Sequence, residues 1–198
     1  MLVLDWDGTI TERDSLWMVL ERFGDWEECR RLGELLYAGE MTLHEEIERQ
    51  FATMRAPLDE VVEWAVENVV VRPGLPELVE RFRPLVVSSG FHELIDPILE
   101  REGVEVELLA NHVEAHPDGW RVTWRDESVC PVCGQACKRA LVPLGDGLVY
   151  VGDGYSDRCV ALAAKRVFAR RGLAEYLDEQ GIGYERFDDL HGIAAALS

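Results

Sequence analysis

Four short stretches of this chain carry residue types that can do chemistry together. Asp5-Trp6-Asp7-Gly8-Thr9 closes a short apolar run. A turn after Asp5 can bring both carboxylates to one site. Gly8 permits close backbone approach, and successive N–H groups there can cradle a phosphate. The plainer reading is an Asp-Gly turn capping a helix. Gly152-Asp153-Gly154-Tyr155-Ser156-Asp157 also follows an apolar run and adds two carboxylates. By itself it reads equally as a helix N-terminus, where Asp157 would be favourable. Ser88-Ser89-Gly90 follows a third apolar run and alone reads as the N-cap of a helix starting near Phe91. Lys138 is one of two lysines in the chain, the other being Lys165. A lone lysine is ordinarily a solvated surface group.

The elements around these stretches decide which reading holds. Residues 2–5, 85–87, 148–151 and 167–169 read as short buried strands. Helical periodicity joins Leu16, Val19, Leu20 and Phe23; Leu43, Ile47, Phe51 and Met54; and Leu58, Val61, Val62, Ala65 and Val69. Gly24-Asp25 and Ala56-Pro57 punctuate that block. Further helices are predicted at 75–83, with Pro76 in the first turn, at 91–99, and from about Asp157 to Ala164. Residues 105–125 read as a strand followed by a hairpin. The alternation predicts an α/β fold, a parallel sheet with helices on both faces, and a small all-helical insert after the first strand. The expected division is a core of 1–14 and 72–198 with a helical cap of 15–71. Three strand ends then present a carboxylate pair, a hydroxyl and a second carboxylate pair at one edge of the sheet. Four converging carboxylates repel one another, and a hard divalent cation such as Mg2+ is the natural neutraliser.

The chain has 198 residues, enough for one core domain and a small insert. Twenty Lys+Arg against 38 Asp+Glu give a net charge of −18. That argues against nucleic acid or an anionic membrane as a partner held by bulk electrostatics. An anionic substrate would need local cations or a metal. No run approaches the ~18 apolar residues of a membrane span. The acidic start does not read as a signal peptide, so the expected setting is cytoplasmic.

The ordered set of motifs resembles the haloacid dehalogenase superfamily of aspartate-dependent phosphohydrolases over nearly the whole chain. Asp5-Trp6-Asp7-Gly8-Thr9 is similar to its first motif, Ser88 to its second, Lys138 to its third, and Gly152-Asp153 with Asp157 to its fourth. The resemblance implies a catalytic set of Asp5, Asp7, Ser88 and Lys138. Asp5 would be the nucleophile, forming an aspartyl-phosphate, and Asp7 the general acid and then base. Ser88 and Lys138 would contact phosphoryl oxygens. Mg2+ would be held by Asp5, the Asp7 backbone carbonyl and Asp153, with Asp157 behind. Gly8, Thr9, Ser89 and Gly90 would lie around the phosphate.

The helical insert resembles the cap of the phosphoserine phosphatase branch, which implies a small phosphorylated metabolite as partner and a monomer or homodimer. By that resemblance Asp14 matches an acidic substrate-binding position. Gln50, with Arg49 beside it, stands where phosphoserine phosphatases hold a carboxylate-binding arginine. Glutamine cannot make that bidentate charged pair, which weakens a phosphoserine assignment. Ala110-Asn111-His112, the run ending Cys137-Lys138, and Phe168-Ala169-Arg170 look more like the methionine-salvage phosphatases. Those act on 2,3-diketo-5-methylthiopentyl-1-phosphate. The phosphoethanolamine/phosphocholine phosphatases share the cysteine-rich run. Ser156 stands where many relatives carry asparagine, a departure expected to loosen Asp157. A non-catalytic phosphate-binding scaffold is the rival from another class, and transfer to an acceptor other than water shares every residue named.

Five cysteines are too few for a disulfide scaffold. Cys130, Cys133 and Cys137 could bind Zn2+ with His112 or His116, form a disulfide, or pack as free thiols; free thiols are favoured over zinc. Cys29 and Cys159 read as small buried hydrophobes. Trp6 should face the core. Trp17, Trp26 and Trp64 read as cap core, although one could line the pocket, and His92 is the histidine nearest the expected site.

Overall fold

The computed structural model describes residues 1–126, 128–145 and 147–198. A six-stranded sheet runs in the order β4-β3-β2-β1-β5-β6. Its strands are β1 (Leu2–Leu4), β2 (Leu85–Phe91), β3 (Glu107–Glu114), β4 (Arg121–Thr123), β5 (Val149–Gly152) and β6 (Arg166–Ala169). All neighbours are parallel except the β3–β4 hairpin, which forms an antiparallel edge. The two-residue alternation of the strands separates two cores. Leu2, Leu4, Val86 and Val151 face one side. Val3, Leu85, Val87 and Tyr150 face the other.

On the first side pack α5 (Leu75–Phe82), α6 (His92–Glu102) and α9 (Leu190–Ala196). On the second pack α7 (Arg158–Ala161) and α8 (Arg171–Gln180). The chain leaves the central strand β1, builds outward through β2 and β3, then returns to the other side of β1 at β5. The crevice at such a reversal is where open α/β sheets bind ligands.

Residues between β1 and α5 form four helices. These are α1 (Ser15–Phe23), α2 (Trp26–Tyr37), α3 (Leu43–Phe51) and α4 (Leu58–Asn68). Asp14, Asp25 and Thr42 cap the first three through their side chains, and Thr42 with Glu45 forms a full capping box. The block is tied at its neck, where Thr11 pairs with Val71 and the Arg72 N–H reaches Ile10 O at 2.8 Å. The Arg72 guanidinium is buried and donates to the carbonyls of Gly8, Thr9, Thr11, Glu12 and Asp188. One side chain thereby satisfies four carbonyls of the segment after β1. Farther out, Phe51 of α3 meets Phe91 edge to face at 4.7 Å, and Trp120 Nε1 donates to Ala56 O at 2.9 Å.

Several elements differ from the sequence reading. The strand expected at 85–87 continues to Phe91, so Ser88, Ser89 and Gly90 belong to the strand end and Phe91 is the N-cap. The helix expected from Asp157 to Ala164 is a short turn at Tyr155–Asp157 followed by α7 alone. Helix α2 did not stand out because its buried Cys29, Leu32 and Leu36 are interleaved with charges and a glycine. Trp6 lies in the core as expected. No helix among the described residues is long and apolar enough to cross a membrane.

Candidate active site

Asp5 is the first residue beyond β1 and is held in register by its N–H, which donates to Val151 O at 2.9 Å. The chain then turns through Trp6–Ile10, with Gly8 at φ +72°. A side chain at Gly8 would strike Asp153, since its Cβ would lie 2.2 Å from Asp153 Oδ2. Only glycine satisfies both the left-handed backbone and that approach. At Gly152 the close approach alone excludes a side chain, its Cβ falling 2.5 Å from Asp157 Oδ2.

The turn brings the Asp7 carboxylate back beside Asp5. Asp7 Oδ1 accepts from the Ser15 N–H at 3.0 Å, the Leu16 N–H at 3.3 Å and the Ser15 hydroxyl. Those donors are the first residues of α1, a favourable end for an anion. Oδ2 is left toward Ser88, whose hydroxyl donates to it at 3.3 Å and accepts from the Gly90 N–H at 2.8 Å. Asp14 caps α1 by accepting from the Trp17 N–H at 2.9 Å.

Lys138 is buried in a short turn at Lys138–Leu141. Its ammonium donates to Asp5 Oδ1 and, at 2.7 Å, to Asp157 Oδ1. The surface reading of this lysine therefore fails: it is the cation of the carboxylate cluster. Asp157 is fully buried, and it also accepts from Tyr150 OH at 2.6 Å and from the N–H groups of Asp153 and Gly154 at 2.8 and 2.9 Å. Ser156 adds only a 3.5 Å contact, so this serine does not leave Asp157 loose. Asp5, Asp153 and Asp157 each offer a carboxylate oxygen, all within 4.8 Å of one another. This all-oxygen donor set suits a hard cation such as Mg2+. Because the lone pairs of Asp157 are already engaged, Asp5 and Asp153 are its better ligands.

The electrostatics follow from crowding and burial. Burial raises the Asp5 carboxyl well above its usual range, and Asp157 adds to this while Lys138 opposes it. Burial also raises Asp7, against the Ser15 hydroxyl bond. Asp14 is raised well above its usual range by burial and then by Asp7. Asp153 is pushed up to about 7 by burial and then by Asp157. Burial works against the Lys138 charge, but Asp157 and Asp5 overcome it and raise its pKa. Asp5, Asp7, Asp14 and Asp153 thus bind protons more tightly than free carboxylates do, and a divalent cation would compete with those protons.

Asp5, Asp7 and Asp153 lie at the floor of a cavity of about 250 Å³ between the sheet edge and helices α1–α3, while Ser88 and Lys138 line a smaller recess that shares Leu43 and Ser89 with it. Asp5, Asp7, Asp14, Ser89 and Asp153 line the floor, while Leu16, Trp17, Leu20, Leu36, Leu43 and Ile47 line the upper wall. Trp17, read as cap core, thus faces the cavity as well as Trp26, which it meets at 5.3 Å. Gln50 lines the wall too, but its amide donates to Cys29 O at 3.2 Å and Glu46 Oε1 at 3.0 Å. Three expectations need correction. Arg49 is on the outer face of α3, half exposed and paired with Glu28 at 3.4 Å. The Gly8 N–H is taken by Thr11 Oγ1 at 2.9 Å, so it is not free for a phosphate. Thr9 is buried beneath the turn and does not line the cavity. His92 does not line it either; it bonds Asp96 at 3.1 Å.

Glu46 was missed by the sequence reading. It is buried in the upper wall, one helical turn before Gln50, and burial pushes its pKa up to about 7 against the Gln50 bond. Its sign has a consequence for stability. The folded state binds this proton more tightly than the unfolded chain, so stability falls as pH rises from about 4.5 to about 7 and is level above. Glu46→Gln keeps the acceptor and cannot ionise. Thermal unfolding against pH should show that the variant lacks a loss of up to about 3 kcal/mol across this window. Parallel wild-type and variant curves would contradict the assignment.

Comparisons with known proteins agree with this architecture. A family model for haloacid dehalogenase-like hydrolase matches residues 2–162. A 2-hydroxy-3-keto-5-methylthiopentenyl-1-phosphate phosphatase from Exiguobacterium is 27% identical, covering 99% of this chain and 96% of that protein. Pdp3-interacting factor 1 from Schizosaccharomyces pombe is 26% identical over 94% of this chain and 91% of its own length. A solved phosphoserine phosphatase holding a phospho-aspartyl intermediate analogue superposes with a TM-score of 0.71 at 19% identity, covering 98% of this chain and 97% of that one.

Proposed function

The chain belongs to the haloacid dehalogenase-like hydrolases, and on that premise we propose that it is a Mg2+-dependent phosphomonoesterase acting on a small metabolite through an aspartyl-phosphate at Asp5. The observation that carries this reading is the pairing, at the floor of the cavity, of Asp5, set against the Lys138 ammonium, with Asp7, whose Oδ2 is left toward Ser88. In the first half-reaction an Asp5 oxygen attacks phosphorus and the bond to the ester oxygen breaks. Asp7, whose carboxyl burial raises above its usual range, gives a proton to the departing alkoxide. In the second half, Asp7 as carboxylate takes a proton from water, which attacks phosphorus and releases phosphate from Asp5. Ser88 and Lys138 donate to the phosphoryl oxygens as charge develops on them. Mg2+ held by Asp5 and Asp153, with Asp157 behind, would supply further neutralisation of that charge. Helices α1–α4 act as the cap that covers the substrate, in the division of core and cap expected at 15–71.

The substrate tail is read from the upper wall. Arg171 is the one cation among the described residues lining the cavity, and it sits near Asp153 at 3.5 Å. A substrate carboxylate at the cap end would therefore meet Glu46 and Gln50 with no counter-ion, which disfavours phosphoserine. An uncharged, apolar tail suits the leucine, isoleucine and tryptophan wall. The compound for which the Exiguobacterium relative is named has such a methylthio tail. It is the enol tautomer of the 2,3-diketo phosphate, so the two differ by the place of one proton. Glu46 beside Trp17 favours a second reading, in which ionised Glu46 and the ring hold the ammonium of phosphocholine or phosphoethanolamine.

Phosphate release from a panel of these esters, with Mg2+ and with EDTA, separates the readings. The expected result is Mg2+-dependent release favouring the methylthio phosphate. Preference for a choline or ethanolamine ester would move the tail assignment to Glu46 as counter-ion. Preference for phosphoserine would overturn the account of the upper wall. No release from any ester by folded protein would favour a phosphate-binding scaffold. A cytoplasmic setting belongs to the same proposal.

A further inference from the structure

We propose that Cys130, Cys133, Cys137 and Cys159 form a tetrathiolate site for Zn2+, separate from the carboxylate centre and independent of the substrate reading. The four Sγ atoms all lie within 4.8 Å of one another. Cys130 and Cys159 approach to 3.7 Å, and Cys133 and Cys137 to 3.6 Å. These separations are far beyond the ~2.05 Å of a disulfide. They match the edge of a tetrahedron with Zn–S bonds of ~2.3 Å, which is about 3.8 Å.

The local backbone is shaped for such an ion. Cys130-Pro131-Val132-Cys133-Gly134 folds into a tight knuckle, in which the Gly134 N–H donates to Cys130 O at 2.9 Å and Gly134 has φ +71°. The Val132 N–H points at Cys130 Sγ at 3.5 Å, a bond that favours a thiolate. The Cys130 N–H is tied to Gln135 O at 2.9 Å, closing the loop that returns to Cys137.

The fourth ligand corrects the sequence reading. Cys159 is not a buried hydrophobe; it projects from α7 into the cluster, although it lies 22 positions after Cys137. The two histidines considered as ligands are engaged elsewhere. His112 bonds Glu93 at 2.8 Å, and His116 accepts from the Asp118 N–H at 3.3 Å. The fifth cysteine, Cys29, is buried beside Thr53 in the helical block.

The position of the cluster gives the ion a role. Cys137 immediately precedes Lys138, and Cys159 lies two residues beyond Asp157. An ion joining them would clamp the loop that presents Lys138 to the helix that follows Asp157, across the 2.7 Å ion pair of the active site. On binding, each thiol gives up its proton to solvent, and no oxidant is required.

The test uses the full chain purified without chelators. Elemental analysis should find one zinc per chain. Replacement by Co2+ should give the intense visible bands and thiolate charge-transfer absorption of a tetrahedral tetrathiolate. Cys159→Ser should weaken Zn2+ binding by at least tenfold and shift the Co2+ spectrum to fewer thiolates. Cys29→Ser, His112→Ala and His116→Ala should leave it unchanged. Wild-type protein without zinc that gives no tetrahedral spectrum with Co2+ would overturn the proposal. So would iron in place of zinc, an unaltered spectrum in Cys159→Ser, or a changed one in either histidine variant. The wild-type measurements stand even if a cysteine variant fails to fold.

Discussion

Asp5→Asn is expected to abolish phosphate release, by about 10^4-fold or more, while the protein remains folded. The size of the effect follows from the role: an amide is not a competent nucleophile toward phosphorus, and the neighbouring Asp7 and Asp157 carboxylates are committed elsewhere. Asp7 is fixed by three donors from the start of α1, and Asp157 is saturated by Lys138, Tyr150 and two backbone N–H groups. Folding should survive because asparagine keeps the shape and leaves an oxygen to accept from Lys138. Circular dichroism and thermal unfolding would check the fold, and phosphate release the activity. Activity within tenfold of wild type would rule out Asp5 as nucleophile.

Lys138→Met is expected to cost both stability and catalysis. The ammonium lies between two buried carboxylates, and removing it leaves Asp5 and Asp157 without their cation. Breaking a buried pair in this way costs about 3–5 kcal/mol, because a charge is left uncompensated in a poorly solvated place. The loss should be largest in EDTA and smaller in Mg2+, which supplies part of the missing charge. Turnover should fall by about 10^2–10^3-fold, the usual effect of removing one preorganised donor from a charged transition state. Lys165→Met on the exposed surface is the control and should change stability by less than about 0.5 kcal/mol. A Lys138→Met protein as stable and as active as that control would contradict the geometry.

Much of this site was legible in the sequence because strand ends announce themselves. Apolar runs ending in Asp5, Ser88 and Asp153 mark one edge of a parallel sheet, and the required glycines at 8 and 152 mark where backbone and carboxylate meet. Helices α1, α3 and α4 were legible from the spacing of their apolar residues. What tertiary packing alone creates was not. Lys138 stood out as one of two lysines, but it lies in a loop whose local pattern says nothing about burial, and only the resemblance gave it a role. Glu46 reads as one more acid on an acidic helix until α3 turns it into the cavity wall. Cys159 joins the other cysteines because α7, after β5, packs beside the 130–137 loop, a proximity no spacing rule contains. Arg49 failed for the opposite reason: a neighbour in sequence on a helix points about 100° away, so Gln50 faces the cavity and Arg49 faces solvent.

The central claim is a covalent phosphoryl group on Asp5, and chemical trapping tests it most directly. Enzyme turning over its best ester with Mg2+ would be quenched with borohydride, which reduces an acyl phosphate to the alcohol. Mass spectrometry of the peptide containing residues 1–13 should then show homoserine at position 5, absent when ester or Mg2+ is omitted. Sustained phosphate release with no homoserine at position 5, or with the modification at another residue, would contradict the account.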